Sequence, residues 1–246
     1  MKGLRLDQRM VEMDLAESRE QAQRLIRAGE VRVNGQVQDK PAYNVLPEHA
    51  VTVTRPARFV SRGGEKLEAA FVQFGLDVTG RIALDVGAST GGYTDCLLQH
   101  GAAKVYAVDV GRGQLHWRLR QDPRVVLMEG VNARYLFPDQ FPERPEFATA
   151  DVSFISLTHI LPALARVVRP GSQMVTLIKP QFEAGRDRVG KGGVVSDPAV
   201  QAEVVARIRA FGESDVGLVW RGCIPSPLLG PAGNIEFLAW WETRRT

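Results

Sequence analysis

The sequence of 246 residues predicts an α/β fold: a mostly parallel, doubly wound sheet that ends in an antiparallel hairpin, behind a smaller α+β domain. Short apolar runs alternate with helical stretches through most of the chain, which favours parallel strands joined by helices. Two further apolar runs near the C terminus are joined by a loop rich in proline and glycine, which indicates the hairpin. The length suits one large and one small domain, and an apolar share of 44% is ordinary for folded proteins.

Residues 1–53 form the predicted small domain. Ser18 can cap a helix, with Gln21 completing a capping box, and Gly29 is placed to end that helix. The dipeptide Asn34-Gly35 then favours the positive φ angles of a tight hairpin turn. The apolar side chains of this segment are Ala22, Leu25, Ile26, Val31, Val33 and Val37. The pattern predicts a helix followed by a small β-hairpin.

Residues 54–64 mix proline, paired glycines and arginines without periodicity, so we expect a linker there. The larger domain, 65–246, opens with a predicted helix over 65–74, and Gly75 stands in the usual stop position after it. Parallel strands are predicted near 82–86, 104–108, 125–128, 147–152 and 173–178. The terminal hairpin is predicted from the runs 216–224 and 235–241.

Arginines are concentrated in the helix and hairpin of the small domain. The overall balance of 31 Lys and Arg against 28 Asp and Glu is too even to indicate nucleic-acid binding by itself. Clustered arginines can meet RNA phosphates, but arginines also decorate solvated helix faces without binding anything. The candidate RNA contacts are Arg5, Arg19, Arg24, Arg27 and Arg32.

A glycine-rich turn follows the first strand of the larger domain. The strand carries Asp85, and the turn reads Gly87-Ala88-Ser89-Thr90-Gly91-Gly92 before a helical stretch. Glycines at such a turn let a ligand approach the backbone, although they also serve tight packing. Asp109 ends the second strand, where a carboxylate can accept both hydroxyls of a ribose. Together these features predict an adenosine-containing ligand.

Two classes of cofactor contain adenosine and compete for this site. A nicotinamide dinucleotide requires the spacing GxGxxG, which GASTGG breaks, and the terminal hairpin is not typical of that fold. We therefore favour S-adenosylmethionine. Asn132 follows the third strand and is interpreted either as an adenine contact or as part of a solvated loop.

Four charged residues stand where the elements of a doubly wound sheet converge. Lys66 opens the first helix of the larger domain, and Asp151 ends its fourth strand. Lys179 ends the fifth strand, and Glu236 lies in the final hairpin. Each alone is more often a solubilising charge than a catalyst. Ligands of open α/β sheets bind beyond the carboxyl ends of the strands, so the four are candidates for one catalytic site.

Two known domain types resemble the two parts of the chain. Residues from about 4 to 53 resemble the S4 RNA-binding domain, and the chain from about residue 60 onward resembles the FtsJ-like class of Rossmann methyltransferases. In that class the glycine turn holds the methionine portion of the cofactor, and the acidic residue after the second strand holds its ribose. The four charged residues match, in order, the Lys-Asp-Lys-Glu tetrad of ribose 2′-O-methyltransferases. The core of the S4 likeness is Ser18-Arg19, Ala22, Leu25-Ile26, Gly29, Val31 and Val33-Asn34-Gly35.

Nearly the whole chain is similar to the TlyA family of ribosomal RNA 2′-O-methyltransferases, some members of which carry the label hemolysin. The segments that carry this likeness are VSRGGEKL, DVGASTGG, DVSFISL, LIKPQFE and GNIEF. The likeness implies a Rossmann-like class I methyltransferase fold behind an S4 domain, with S-adenosylmethionine as cofactor. It also implies ribosomal RNA or ribosomal subunits as partners, and methylation of a cytidine ribose in the large subunit and, in longer members, also in the small one.

A ribose hydroxyl is a poor nucleophile near neutral pH, so a base must remove its proton, and Lys179 is the candidate base. An alternative function is an RNA-binding or ribosome-assembly protein whose second domain is catalytically idle. Direct membrane lysis is a third hypothesis, but we expect no membrane insertion because no apolar run is long enough to span a bilayer. The charged N terminus predicts a cytoplasmic protein. The spacing of the two cysteines and four histidines predicts no metal.

Overall fold

The computed structural model describes residues 3–16, 18–54 and 58–245. The chain divides into two compact units, residues 1–58 and 59–246. Residues 55–57 of the predicted linker lie outside the described residues. The second unit begins at Phe59, whose ring is buried, and the Val60 N–H donates to the Asp95 carboxylate at 2.8 Å. These contacts place the end of the predicted linker within the second unit.

Among the residues that the structure describes, the first unit contains two helices and five short strands. They are β1 (Leu4–Arg5), α1 (Leu6–Glu12), α2 (Arg19–Arg27), β2 (Val31–Val33), β3 (Gln36–Val37), β4 (Asn44–Val45) and β5 (Val51–Val53). Strand β1 pairs with β4, and β2 lies between β3 and β5. The Ser18 hydroxyl accepts the Gln21 N–H at 3.2 Å and so caps α2 as predicted. Asn34 and Gly35 have φ angles of 50° and 81°, which the tight β2–β3 turn requires.

Apolar side chains from both helices and three of the strands form the core of the first unit. Leu6 and Met10 of α1 pack with Ala22 and Ile26 of α2. The strands contribute Val31, Val33, Val45 and Val51. Burial of this apolar surface is the main stabilising contribution to a domain of this size.

The second unit is a seven-stranded sheet with helices on both faces. Its elements are α3 (Gly63–Phe74), β6 (Ile82–Val86), α4 (Gly92–Gln99), β7 (Lys104–Asp109), α5 (Trp117–Arg120), β8 (Val125–Glu129), β9 (Phe147–Ala150), α6 (Leu161–Val167), β10 (Gln173–Ile178), α7 (Pro180–Glu183), α8 (Pro198–Ser214), β11 (Val219–Pro225) and β12 (Phe237–Glu242). The strand order is β11-β12-β10-β9-β6-β7-β8. Strands β6 to β10 are parallel, and β12 runs antiparallel to both β10 and β11. The predicted fold class is confirmed.

The ends of several elements differ from those predicted. The β11 strand begins at Val219 rather than 216, because the N–H groups of Val216 and Leu218 donate to carbonyls in the last turns of α8. Strand β9 ends at Ala150, so Asp151 is the first residue of the loop that follows. Helix α3 begins at Gly63, two residues earlier than predicted, and Gly75 ends it with a φ of 62°.

Each face of the sheet is covered by its own apolar cluster. On one face, α3 and α4 contribute residues such as Phe71 and Leu97. On the other, α6 and α8 contribute residues such as Leu164 and Ile208. Because both faces are covered, the place that remains for a ligand is the edge where the parallel strands end. Within the described residues, no helix is long and apolar enough to cross a membrane.

Candidate active site

The glycine turn after β6 joins the strand to helix α4. Gly87 has a φ of 81°, and a Cβ there would collide with the carbonyl oxygen of Asp151. Gly92 begins α4, and a Cβ there would collide with the Ser61 hydroxyl. A Cβ at Gly91 would instead meet the side chain of Leu119. The turn therefore requires glycine for close backbone approach at its ends and for packing at Gly91.

Two cavities meet at this turn, and Gly87, Ser89 and Asp151 line both of them. The larger, of about 440 Å³, is also lined by Asp109 and Asn132. A volume of this size is typical of a small-molecule site. The smaller, of about 250 Å³, is also lined by Lys66, Thr90, Gly92 and Tyr93. Predicted cofactor residues and two of the predicted catalytic residues, Lys66 and Asp151, thus line adjoining cavities at the carboxyl edge of the sheet. Lys179 and Glu236 line neither cavity and meet this space through their partners Asp151 and Lys66.

Asp109 lies at the end of β7 with both carboxylate oxygens aimed at backbone donors. Its Oδ2 accepts the Ser89 N–H and its Oδ1 accepts the Gly111 N–H, both at 2.7 Å. Each carboxylate oxygen has a second lone pair, so Asp109 can still accept two hydroxyl groups of a ribose. Asn132 lines the same cavity, and its Oδ1 accepts the Arg134 N–H at 3.1 Å.

Asp85 lies beneath the turn and is completely buried. Its carboxyl oxygens accept hydrogen bonds from Thr94 Oγ1 at 2.6 Å and Thr149 Oγ1 at 2.9 Å. Burial raises the pKa of the Asp85 carboxyl to about 6, against the lowering effect of these two hydrogen bonds. Asp85 lines neither of the two cavities, so direct contact with a cofactor stays a prediction.

Asp151 and Lys179 form an ion pair at the ends of β9 and β10. The Lys179 Nζ lies 2.6 Å from Asp151 Oδ1 and also donates to the Ser153 hydroxyl at 2.9 Å. The side chain of Lys179 is 9% exposed and that of Asp151 is 21% exposed. The pair is therefore shielded on the lysine side and open to the cavities on the aspartate side.

Lys66 and Glu236 form the second ion pair. Lys66 Nζ lies 2.6 Å from Glu236 Oε2, and Gln181 Nε2 donates to Glu236 Oε1 at 3.1 Å. Glu236 is 1% exposed, so both of its oxygens depend on these partners. The sequence predicted that the four residues converge, and the structure brings them together as two lysine–carboxylate pairs.

Tyr93 lines the smaller cavity, and its hydroxyl is affected by the charge of one carboxylate from each ion pair. Its ring is buried, and its hydroxyl has no hydrogen-bond partner among the residues that the structure describes. Burial and the charges of Asp151, Asp85 and Glu236 raise the pKa of this hydroxyl. Tyr93 is therefore neutral and contributes shape and a hydroxyl dipole to the site.

The candidate RNA-binding arginines of the first unit are held in different ways. The buried carboxylate of Asp7 accepts two hydrogen bonds from Arg5, one from Arg19 and one from Gln23, at 2.9 to 3.1 Å. These contacts hold the pKa of Asp7 well below its usual range. The side chains of Arg5 and Arg19 are still about half exposed. Arg24 and Arg27 are exposed on α2, and Arg32 donates to the Gly35 carbonyl at 3.0 Å.

Sequence reasoning missed three polar residues that support the tetrad. Ser153 contacts Lys179, Gln181 contacts Glu236, and Glu183 contacts the loop that begins at Asp151. All three lie within four residues of a tetrad member along the chain, inside the segments DVSFISL and LIKPQFE. That adjacency was the available signal, but the side-chain directions require the fold.

The residues Glu68, Cys96 and His100 also meet in space, although chain spacing predicted no such cluster. Their candidate ligand atoms all lie within 4.8 Å of one another. His100 Nε2 and Glu68 Oε2 are 2.6 Å apart, and the His100 ring stacks on Phe71. This contact pairs the polar groups of His100 and Glu68 with one another. The absence of a metal stays a prediction.

A Rossmann-like methyltransferase is defined by the sheet order, the glycine turn, Asp109 and the paired lysines and carboxylates. Family comparison matches residues 59–243 to the FtsJ-like methyltransferase family and residues 4–51 to the S4 domain. The chain belongs to the FtsJ-like methyltransferase family and carries an S4 domain before it.

Similar proteins extend this match to almost the whole chain. A candidate rRNA methyltransferase of Bacillus subtilis, YqxC, is 52% identical over 95% of this chain and 84% of its own. The protein named 16S/23S rRNA (cytidine-2′-O)-methyltransferase TlyA of Mycobacterium tuberculosis is 47% identical over 98% of this chain and 90% of its own. A solved structure of a candidate hemolysin from Streptococcus thermophilus is 47% identical, covers 99% of this chain and 90% of its own, and has a TM-score of 0.76.

Proposed function

We propose that this protein transfers a methyl group from S-adenosylmethionine to the 2′-hydroxyl of a cytidine ribose in ribosomal RNA. The observation that carries the proposal is the pairing of Lys179 with Asp151 and of Lys66 with Glu236. Asp151 lines both cavities, one of which holds Asp109 and the other Lys66. The name of the Mycobacterium tuberculosis relative specifies a cytidine in 16S and 23S rRNA. We take this as the proposed substrate class, in both ribosomal subunits. The large subunit is the expected site, and the small subunit is a second one.

The cofactor is proposed to lie across the two cavities, along the glycine turn. The free lone pairs of Asp109 suit the two hydroxyls of its ribose, and Asn132 is placed to meet its adenine. The backbone at Gly87, Ser89, Thr90 and Gly92 lines the remaining space for its methionine portion. When bound, S-adenosylmethionine supplies a methyl group on a positively charged sulfur.

The two ion pairs would orient and deprotonate the acceptor ribose. The 2′-oxygen forms the new bond to the methyl carbon, the bond from that carbon to sulfur breaks, and the 2′-hydroxyl proton goes to a base. Lys179 Nζ is the proposed base, and it takes that proton once it has released one of its own to solvent; Asp151, 2.6 Å away, would stabilise the ammonium group that forms. Lys66, held by Glu236, would position the ribose, because alignment itself contributes several kcal/mol to such a transfer.

The first unit is proposed to supply RNA affinity. Arg24, Arg27 and Arg32 present charge to solvent, and Asp7 holds Arg5 and Arg19 side by side. Arginines of this kind meet phosphates, and a folded RNA is selected by its shape and its 2′-hydroxyls. We propose that residues 1–53 are the RNA-binding domain and that the predicted domain 65–246, together with residues 59–64, is the methyltransferase, in a cytoplasmic protein.

The test is incubation of purified 50S and 30S subunits with the protein and methyl-labelled S-adenosylmethionine, followed by nucleoside mass spectrometry. The expected product is labelled 2′-O-methylcytidine. Binding of both RNA and cofactor without any labelled nucleoside would support the alternative, an RNA-binding or assembly protein that is catalytically idle. Label on a base rather than a ribose would contradict the role of the tetrad.

A further inference from the structure

We propose that Glu183 is a positioning residue that fixes the loop 151–157 against the end of β10, and thereby sets the geometry of the Asp151–Lys179 pair. The inference rests on the proposed methyl transfer at that pair. Glu183 lines neither cavity, and both of its carboxyl oxygens accept hydrogen bonds from the loop, so it acts through the loop rather than on the RNA or the cofactor.

The loop is anchored to the sheet at its first residue. The Asp151 N–H donates to the Val86 carbonyl at 3.0 Å, which continues the ladder between β9 and β6. Beyond that bond, residues 152–155 form no regular element, yet they line the larger cavity. Val152 and Ile155 pack against the core and Ser153 contacts Lys179, and the remaining freedom of these residues depends on how the far end of the loop is held.

Within the loop, Phe154 adopts a conformation that a bulky residue rarely adopts. Its φ is 62°, and its side chain is 89% exposed, so burial of the ring does not hold it there. The centre of its ring lies 5.0 Å from that of Phe182, with the two rings tilted to one another. A strained residue of this kind persists only where surrounding contacts fix the backbone on both sides.

Glu183 provides the second anchor. Its Oε1 accepts the Leu157 N–H and its Oε2 accepts the Ser156 hydroxyl, both at 2.7 Å. The residue is 7% exposed, and burial raises the pKa of its carboxyl. The Arg207 guanidinium of α8 donates to the Glu183 backbone carbonyl and lies 3.7 Å from its Oε2. The loop is thus tied to the C-terminal end of α7.

Glu183 and Lys179 belong to one short segment, because α7 follows Lys179 directly. Lys179 contacts the start of the loop through Asp151 and Ser153, and Glu183 contacts its end through Ser156 and Leu157. The segment and the loop are therefore joined at two separate places. Loss of the Glu183 contacts with Ser156 and Leu157 would free the end of the loop to move relative to Lys179.

Two substitutions distinguish positioning of the loop by the Glu183 hydrogen bonds from an effect of the negative charge of Glu183. Glu183→Ala removes both acceptors. Glu183→Gln keeps an oxygen for the Leu157 N–H and presents an amide N–H to the Ser156 hydroxyl, which can accept it. Glu203→Ala is the matched control, since it removes an exposed carboxylate that pairs with Arg188.

The measurements are kcat in steady-state methylation of ribosomal subunits, cofactor affinity by calorimetry, and hydrogen exchange of peptides covering 151–158. We expect Glu183→Ala to lower kcat by about 10²-fold, the scale associated with a displacement of about 1 Å, with faster exchange confined to that loop. Glu183→Gln is expected to lose less than about tenfold, and Glu203→Ala to match the wild type. Far-ultraviolet circular dichroism confirms that each variant is folded.

Glu183→Ala with wild-type kcat and unchanged exchange would overturn the inference. Equal losses in the Ala and Gln variants would also overturn it, because the charge would then matter rather than the two contacts. Exchange that rises throughout the second unit would assign Glu183 a general structural role instead. If the wild type itself does not methylate, the proposed function fails, while the exchange data still decide whether Glu183 anchors the loop.

Discussion

The buried carboxyl of Asp85 predicts a pH dependence of stability that can be worked out from the structure. Its pKa is raised from 3.8 to about 6 in the folded chain, chiefly by burial. Between these two values the folded state binds a proton that the unfolded state has released. The stabilising contribution of this group is therefore fully present below pH 3.8 and is lost as pH rises through about 6.

The size of the effect follows from the two pKa values. Their separation corresponds to about 3 kcal/mol in total, of which about 2 kcal/mol is lost between about pH 4.5 and about pH 7.5. Asp85→Asn removes the titration and keeps groups that can pair with Thr94 and Thr149. The free energy of unfolding of the variant, relative to the wild type, should thus rise by about 2 kcal/mol over that interval.

The assay is urea unfolding at the two pH values, followed by tryptophan fluorescence. All four tryptophans, at 117, 220, 240 and 241, lie in the second unit, so the signal reports on the unit that contains Asp85. Taking the difference between variant and wild type cancels the titration of all other groups that the substitution leaves unchanged. A difference that stays constant across the interval would refute a raised pKa at Asp85.

Three further predictions concern the turn, the second ion pair and the RNA surface. Gly87→Ala should reduce cofactor affinity measured by calorimetry, since the turn needs both the positive φ and the space; unchanged affinity would contradict the proposed cradle. Lys66→Met should lower the free energy of unfolding by about 3 to 5 kcal/mol by leaving the buried Glu236 charge without its cation and with the neutral Gln181 as partner, and the added change Glu236→Gln should recover part of it. If the double variant is no more stable than Lys66→Met, the loss has another origin. Replacing Arg24 and Arg27 with Gln should weaken RNA binding and reduce the slope of log K against log salt by about 2. A slope equal to that of the wild type would exclude both side chains from the phosphate contacts.

The fold was accessible from the sequence because its signals are local. Strand β6 is a short apolar run, the turn that follows it contains glycines at the positions where a Cβ would collide, and Gly75 ends α3 as its position predicted. The exact strand ends were less accessible. The start of β11 is set by hydrogen bonds that close α8, and the sequence 216–218 does not distinguish a closing turn from a strand.

The convergence of the four charged residues could be predicted from the sequence, but their pairing could not. Lys66 and Glu236 are 170 residues apart, and their pairing depends on β12 lying beside β10 at one register. Apolar patterning places both residues near one edge but does not choose their partners. The same holds for Asp7, whose four hydrogen bonds reach across α1, α2 and β1.

The central claim is that Lys179 takes the proton from the ribose hydroxyl, beside a cofactor held by other residues. The most direct measurement is single-turnover transfer of labelled methyl to ribosomal subunits by wild type and Lys179→Ala, with cofactor and RNA affinities measured on the same preparations. Transfer should fall by about 10² to 10⁴-fold, while both affinities stay near those of the wild type. A folded Lys179→Ala protein that binds both ligands and methylates at the wild-type rate would contradict the claim.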